Sequence, residues 1–364
     1  MRKSDIDIGI KFRWLSLFAM ASVVMIHSIT TLTCKHPAVW NVFVQHLFLR
    51  SFTYWAVPFF FACSGFWFAK GSYVQGQQGI GSFWAKKAKT LLVPYVLWII
   101  VAVILVTPLV VGNNLVTGRG VWERTIVAVP GVWPKVCKLL ALTSMEPIVN
   151  GPLWYVRALL LLFLLAPIWR LVARVRGGWI ALVGIGLIET LLCPWSVAGI
   201  HLPAMGIGWF ALGMAVAERG WEQAKLPLPL VATAGIVWAV ASLTKCFHAV
   251  GVAWAPVGVE SKIIALIPYG GIPFLWGLYD CLGLGRFSLP RILHETFWVY
   301  CCHQIVGAYF IAGMLFVFGK SDAATLIVAG ASVVVMLGVG FGSIVVARRV
   351  FPRVCVWLTG GRGA

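Results

Sequence analysis

Long apolar blocks alternate with short polar connections along most of this chain. Ten blocks approach the length of a membrane-crossing helix: 14–34, 47–69, 90–112, 151–170, 178–196, 201–217, 227–244, 262–280, 294–318 and 324–347. About 20 largely apolar residues cross the hydrocarbon core of a bilayer. Lipid offers the backbone no hydrogen-bond partner, so each block is expected to be helical. The eighth block is the weakest, because Pro268, Gly270, Gly271 and Pro273 interrupt it. One connection is long, 113–150, and carries Trp122, Pro130, Trp133 and Pro134. A loop of that length usually has structure or function of its own, and an interfacial or re-entrant segment is expected there. The pattern predicts an all-α, polytopic transmembrane helix bundle of about ten spans, forming one membrane-embedded domain over 1–364.

Charge placement supports the even span count. With both termini assigned to the cytoplasm, 19 of the 29 basic residues fall on that side and nine on the other, with Arg157 inside a span. That asymmetry fits the positive-inside rule, and losing one span would invert every later loop. Composition agrees. The chain is 60% hydrophobic and 11% charged, with mean hydropathy +0.92, against roughly 25% charged residues in a soluble domain. The net charge of +18 therefore reads as topology and as sites for anionic ligands, and nucleic acid is not expected as a partner. The nine cysteines show no C-x-x-C pair and are expected to fill helix contacts as small hydrophobes. The basic segment before the first block lacks a clean cleavage site downstream, so that block is expected to be a permanent span.

Ionisable residues inside a membrane are costly and point to function. His27 sits in the first block with Thr30 and Thr31 one turn on, and an imidazole there can serve as a general base or as an interhelical hydrogen-bonding group. Arg157, at the start of the fourth block, either snorkels to the interface or offers a fixed cation to a developing oxyanion. Glu189, Glu295 beside His294, and His303 are supporting candidates. Lys86, Lys87 and Lys89 precede the third block, as a topology anchor or as a site for phosphates. No metal site is expected.

Several ordered segments resemble the membrane-bound acyltransferase family 3. They are the first block from Trp14 to His27-Ser28, the aromatic run Val57–Phe66 ending in Ser64-Gly65, and the lysine run leading to Pro94-Tyr95. The series continues with Gly151-Pro152-Leu153-Trp154-Tyr155-Val156-Arg157, Phe210–Met214, and Phe297 through His303. The resemblance implies a bacterial inner-membrane enzyme with both termini cytoplasmic. Its acyl group, usually acetyl, would pass from an acyl-CoA cosubstrate to a hydroxyl of an envelope glycan or lipid-linked sugar. No tightly bound cofactor is implied. His27 is then the catalytic residue with Arg157 beside it, and Arg13, Lys86, Lys87 and Lys89 bind the donor. Two positions depart from the family pattern. Ser16 stands where an arginine eleven residues before the histidine is common, with Arg13 about 4.5 Å further along the helix. Thr90 stands where the second arginine of a basic pair is expected. The alternatives are a polytopic transporter or flippase, suggested by the interrupted eighth block, and a non-catalytic component of polysaccharide assembly.

Overall fold

The computed structural model describes residues 8–31, 36–116, 131–140, 149–192 and 204–362, and among these no strand occurs. Sixteen α-helices follow one another. The first eight are α1 (Ile8–Ile26), α2 (Val39–Gln45), α3 (Ala56–Ala69), α4 (Ile80–Lys87), α5 (Val93–Val116), α6 (Val132–Leu139), α7 (Trp154–Leu164) and α8 (Ala166–Arg174). The rest are α9 (Gly178–Leu192), α10 (Ala204–Arg219), α11 (Leu228–Ala249), α12 (Val257–Ile264), α13 (Ile267–Cys281), α14 (Thr296–Phe318), α15 (Asp322–Val350) and α16 (Pro352–Thr359).

Seven helical stretches are long and apolar enough to span a membrane, and the bent pair α7–α8 makes an eighth. The fold is an all-α polytopic bundle. Among the described residues this test gives seven or eight of the expected ten spans. The fifth and sixth expected spans fall on α9 and α10, which have 15 and 16 residues. At 1.5 Å per residue their described parts come to about 22 and 24 Å, against a ~30 Å hydrocarbon core. The last residues of the fifth block and the first of the sixth, like most of 113–150, lie outside the described residues.

Three local differences from the sequence pattern have physical causes. The first helix stops at Ile26, because polar side chains take over the backbone groups that follow. The Thr30 amide donates to Gln45 Oε1 at 3.0 Å, and its hydroxyl donates to the Thr325 carbonyl at 2.7 Å. The fourth block is not straight: α7 and α8 meet at 61°. Pro167 has no N–H for the Phe163 carbonyl, and the Trp84 indole donates to that carbonyl instead, at 3.1 Å. The eighth block is not broken at its glycines: a turn at 265–266 parts α12 from α13, and α13 then runs unbroken through Gly270, Gly271 and Pro273. A Cβ on Gly270 would collide with the backbone of α11 at Ala234 and Trp238, so the small residue there lets two helices touch. The same holds where α3 crosses α10. A Cβ on Gly65 would strike the Phe210 carbonyl, and one on Gly213 would strike the Ala62 carbonyl. Small residues at a crossing are the usual basis of helix association in lipid.

The core between α1, α3, α7, α10 and α14 is aromatic, built on Phe12, Phe59, Phe61, Phe66, Phe163 and Phe210. Two polar ties hold α1 at its ends. Lys11, fully buried, pairs with Asp280 of α13 at 2.7 Å and lies over the Trp276 ring. At the other end Asn41 donates to Asp322 at 2.8 Å and to Thr325 at 2.8 Å, and Gln45 donates to Asn41 at 2.9 Å.

Candidate active site

His27 lies immediately after α1, and its ring meets that of His303 on α14, centroid to centroid at 5.2 Å. His303 is fully buried. Its Nδ1 is 2.7 Å from the Tyr300 carbonyl and 3.2 Å from the Val299 carbonyl. Carbonyl oxygens only accept, so Nδ1 carries the proton and Nε2 keeps the lone pair. That Nε2 is buried with no hydrogen-bond partner. Two imidazoles 276 positions apart thus form one pair, His27 half-buried and His303 buried, with the tautomer of His303 fixed by main-chain carbonyls.

Two adjoining cavities lie on the side of this pair toward the start of α1. The first, about 580 Å³, is lined by Arg13, Arg291, Arg348 and Arg349 together with His294 and Glu295. The second, about 240 Å³, runs inward between Met20, Ser64, Tyr155 and Tyr300 and again includes His294 and Glu295. Glu295, buried at the junction, accepts from Arg348 at 2.7 Å. In the inner cavity the Tyr155 and Ser64 hydroxyls are 3.1 Å apart, and the Tyr300 hydroxyl donates to the Pro152 carbonyl. Neither histidine of the pair lines either of these two cavities. Met20 is seven residues before His27 on the same helical face, about 10 Å along the axis, and Tyr300 is one turn before His303.

The remaining expected residues are distributed around this channel. Arg13 and Glu295 line it. Arg157 is buried on α7, one residue after cavity-lining Val156 and within electrostatic reach of Tyr95. Lys86 and Lys89 are exposed, while Lys87 lies over the Phe163 ring at 3.9 Å; none of the three lines either cavity. Ser16 is half-buried on α1. The side chain of Glu189 lies outside the described residues. Thr30, expected on the face of His27, belongs instead to the tie between α1, α2 and α15, because the helix ends before it.

In the sequence Arg291, Arg348 and Arg349 enter only as part of the charge asymmetry. They converge with Arg13 on one cavity. A signal was present: an even span count returns the start of α1, the segment before α14 and the end of α15 to the same membrane face. The polar lining from Ser64, Tyr155 and Tyr300 was hidden in apolar runs.

A model of the acyltransferase domain family matches residues 11–347 of the chain. No curated protein and no solved structure matches it.

Proposed function

This chain belongs to the acyltransferase domain family, and from that membership we propose that it moves an acyl group, acetyl first among them, from acyl-CoA to a hydroxyl of an envelope carbohydrate. The observation that carries the reading is the continuous course of polar groups. It begins at four arginines, passes Glu295 into the inner cavity, and ends at Tyr300, one turn short of His303 in the pair His27–His303.

The donor enters from the arginine-lined end, where guanidinium groups meet its phosphates. Its narrow arm passes His294 and Glu295 into the space between Ser64, Tyr155 and Tyr300, and the thioester is carried toward His27. A glycan or lipid-linked sugar hydroxyl arrives from the opposite end of α1. His27 takes the hydroxyl proton as the oxygen attacks the thioester carbonyl. Arg157 is assigned the charge that develops on the carbonyl oxygen. Collapse of the tetrahedral intermediate breaks the carbon–sulfur bond, and the leaving thiolate recovers the proton from His27. His303, its tautomer fixed, packs its ring against that of His27 and so limits where the imidazole can sit. Lys86, Lys87 and Lys89 draw the anionic donor to this membrane face without touching it in the cavity. The reading places the protein in a bacterial inner membrane, with both termini on the donor side.

Mass spectrometry of envelope glycans from cells with and without the protein tests this. The expected result is a mass difference of one acyl group, lost in a His27→Ala strain at unchanged protein abundance. Acylation that persists in His27→Ala removes His27 as the base. Purified wild-type protein that turns over no acyl-CoA favours the non-catalytic alternative.

A further inference from the structure

The stretch after residue 347 lies beyond the part of the chain that the acyltransferase domain accounts for, yet it reaches the inner cavity. Helix α16 folds back beneath α5, held by the Trp98 indole, which donates to the Leu358 carbonyl at 3.1 Å. Gly360 and Gly361 follow at φ +64° and +76°, a left-handed turn that favours glycine. A Cβ on Gly360 would also run into the backbone of Thr90. The turn delivers Arg362 to the cavity wall, beside Ser64, Tyr155 and Tyr300.

Arg362 is docked there at several points. Nη1 donates to the Thr90 carbonyl at 2.9 Å and to the Thr359 carbonyl at 2.9 Å. The Thr90 carbonyl is available because Pro94, four residues on, has no N–H to give it. The guanidinium lies 4.1 Å over the Phe297 ring, and its main-chain carbonyl accepts from Arg348 at 3.4 Å. Both described side-chain bonds use Nη1. Nε and Nη2 therefore remain for a ligand in the cavity that the side chain lines. None of the four described ion pairs supplies Arg362 with a carboxylate. Through Arg348, which also holds Glu295, the same residue joins the inner cavity to the arginine-lined outer one.

We propose that Gly360-Gly361-Arg362 completes the donor site, with Arg362 as the cation that binds a phosphate of the donor where the two cavities meet. This inference rests on the donor reading of those cavities. It extends that reading to a segment outside the acyltransferase domain. The two glycines set the path of the turn, the proline-freed carbonyl fixes one edge of the guanidinium, and the open edge faces the anion. Charge-assisted hydrogen bonds to phosphate are the strong ones.

The test is coenzyme A binding to purified full-length protein in nanodiscs, wild type against Arg362→Ala and Arg362→Lys. Pantetheine, which has no phosphate, serves as the second probe. Melting without ligand confirms that each variant is folded. Loss of one such bond is worth at least about tenfold in affinity. Arg362→Ala is expected to weaken coenzyme A binding by that factor, Arg362→Lys to restore part of it, and pantetheine binding to be equal in all three. Wild-type binding of coenzyme A that Arg362→Ala leaves within twofold overturns this inference alone. An equal loss for pantetheine also overturns it, since the residue would then shape the cavity without reading phosphate. Absence of coenzyme A binding by the wild type overturns the donor reading and this inference with it.

Discussion

Replacing Asp280 by Asn should destabilise the bundle far more than removing both members of its ion pair. Lys11 is completely buried, Asp280 is 11% exposed, and their charged atoms are 2.7 Å apart. Removing one partner strands the other charge, which costs about 3–5 kcal/mol for buried pairs. The slight exposure of Asp280 places the expectation near the lower end, about 3 kcal/mol. Replacing both by apolar residues of similar size leaves no stranded charge and is often close to neutral. Lys11→Met also gives up the stack on Trp276, 4.1 Å from the ammonium, worth about 1–2 kcal/mol in a desolvated setting. Lys11→Met with Asp280→Leu is therefore expected within about 2 kcal/mol of wild type, and the cycle of wild type, Lys11→Met, Asp280→Leu and the double should show a coupling of at least about 1 kcal/mol. Equilibrium unfolding in mixed micelles measures these four proteins and Asp280→Asn. If Asp280→Asn alone stays within about 1 kcal/mol of wild type, the pair is solvated and the reasoning is refuted. Arg13 follows Lys11 by two residues, so loss of register between α1 and α13 should also raise the KM for donor.

Gly213→Ala places a methyl group against the Ala62 carbonyl; an overpacking cost of about 1–3 kcal/mol should appear in the same unfolding assay, and an unchanged stability would mean the helices part freely. Arg349→Ala should raise the KM for acyl-CoA with little change in kcat, and added salt should shrink the difference from wild type; kinetics at two ionic strengths decide this. His303→Ala should lower kcat while leaving donor KM near wild type, because the residue touches His27 and not the cavities. A change confined to KM would separate His303 from the transfer step.

Much of the bundle was legible because lipid leaves the backbone no other choice. A block such as 324–347 has one structural solution, and α15 adopts it. Less was legible where one residue type has two uses. Glycine and proline in 262–280 suggested a broken helix and with it transport, yet Gly270 lets α13 touch α11. The sharp bend fell at Pro167 in an otherwise apolar run, where the Phe163 carbonyl takes a main-chain N–H of the turn and the indole of Trp84, some eighty residues earlier. Whether a proline breaks a helix depends on which neighbours can reach the freed carbonyl, and one of them here is not local in sequence.

The same ambiguity governs the site. Arginine on one membrane face fixes topology and can also bind phosphate, and only convergence in space separates the two uses. Arg13 and Arg349 are far apart in sequence and line one cavity. Lys86, Lys87 and Lys89, a compact run and the obvious phosphate site, line neither. Position 90 makes the point most sharply. The resemblance leads to an arginine there, and the sequence has Thr90 instead. A threonine at 90 still presents its main-chain carbonyl, left without a helical donor by Pro94, and Arg362 docks on it at 2.9 Å. The guanidinium absent from the helix is thus brought to the same turn by a segment some 270 residues later. A guanidinium missing at one position can be supplied in space by another segment, so a departure from a linear motif is weak grounds for inferring lost activity until the surrounding fold is known.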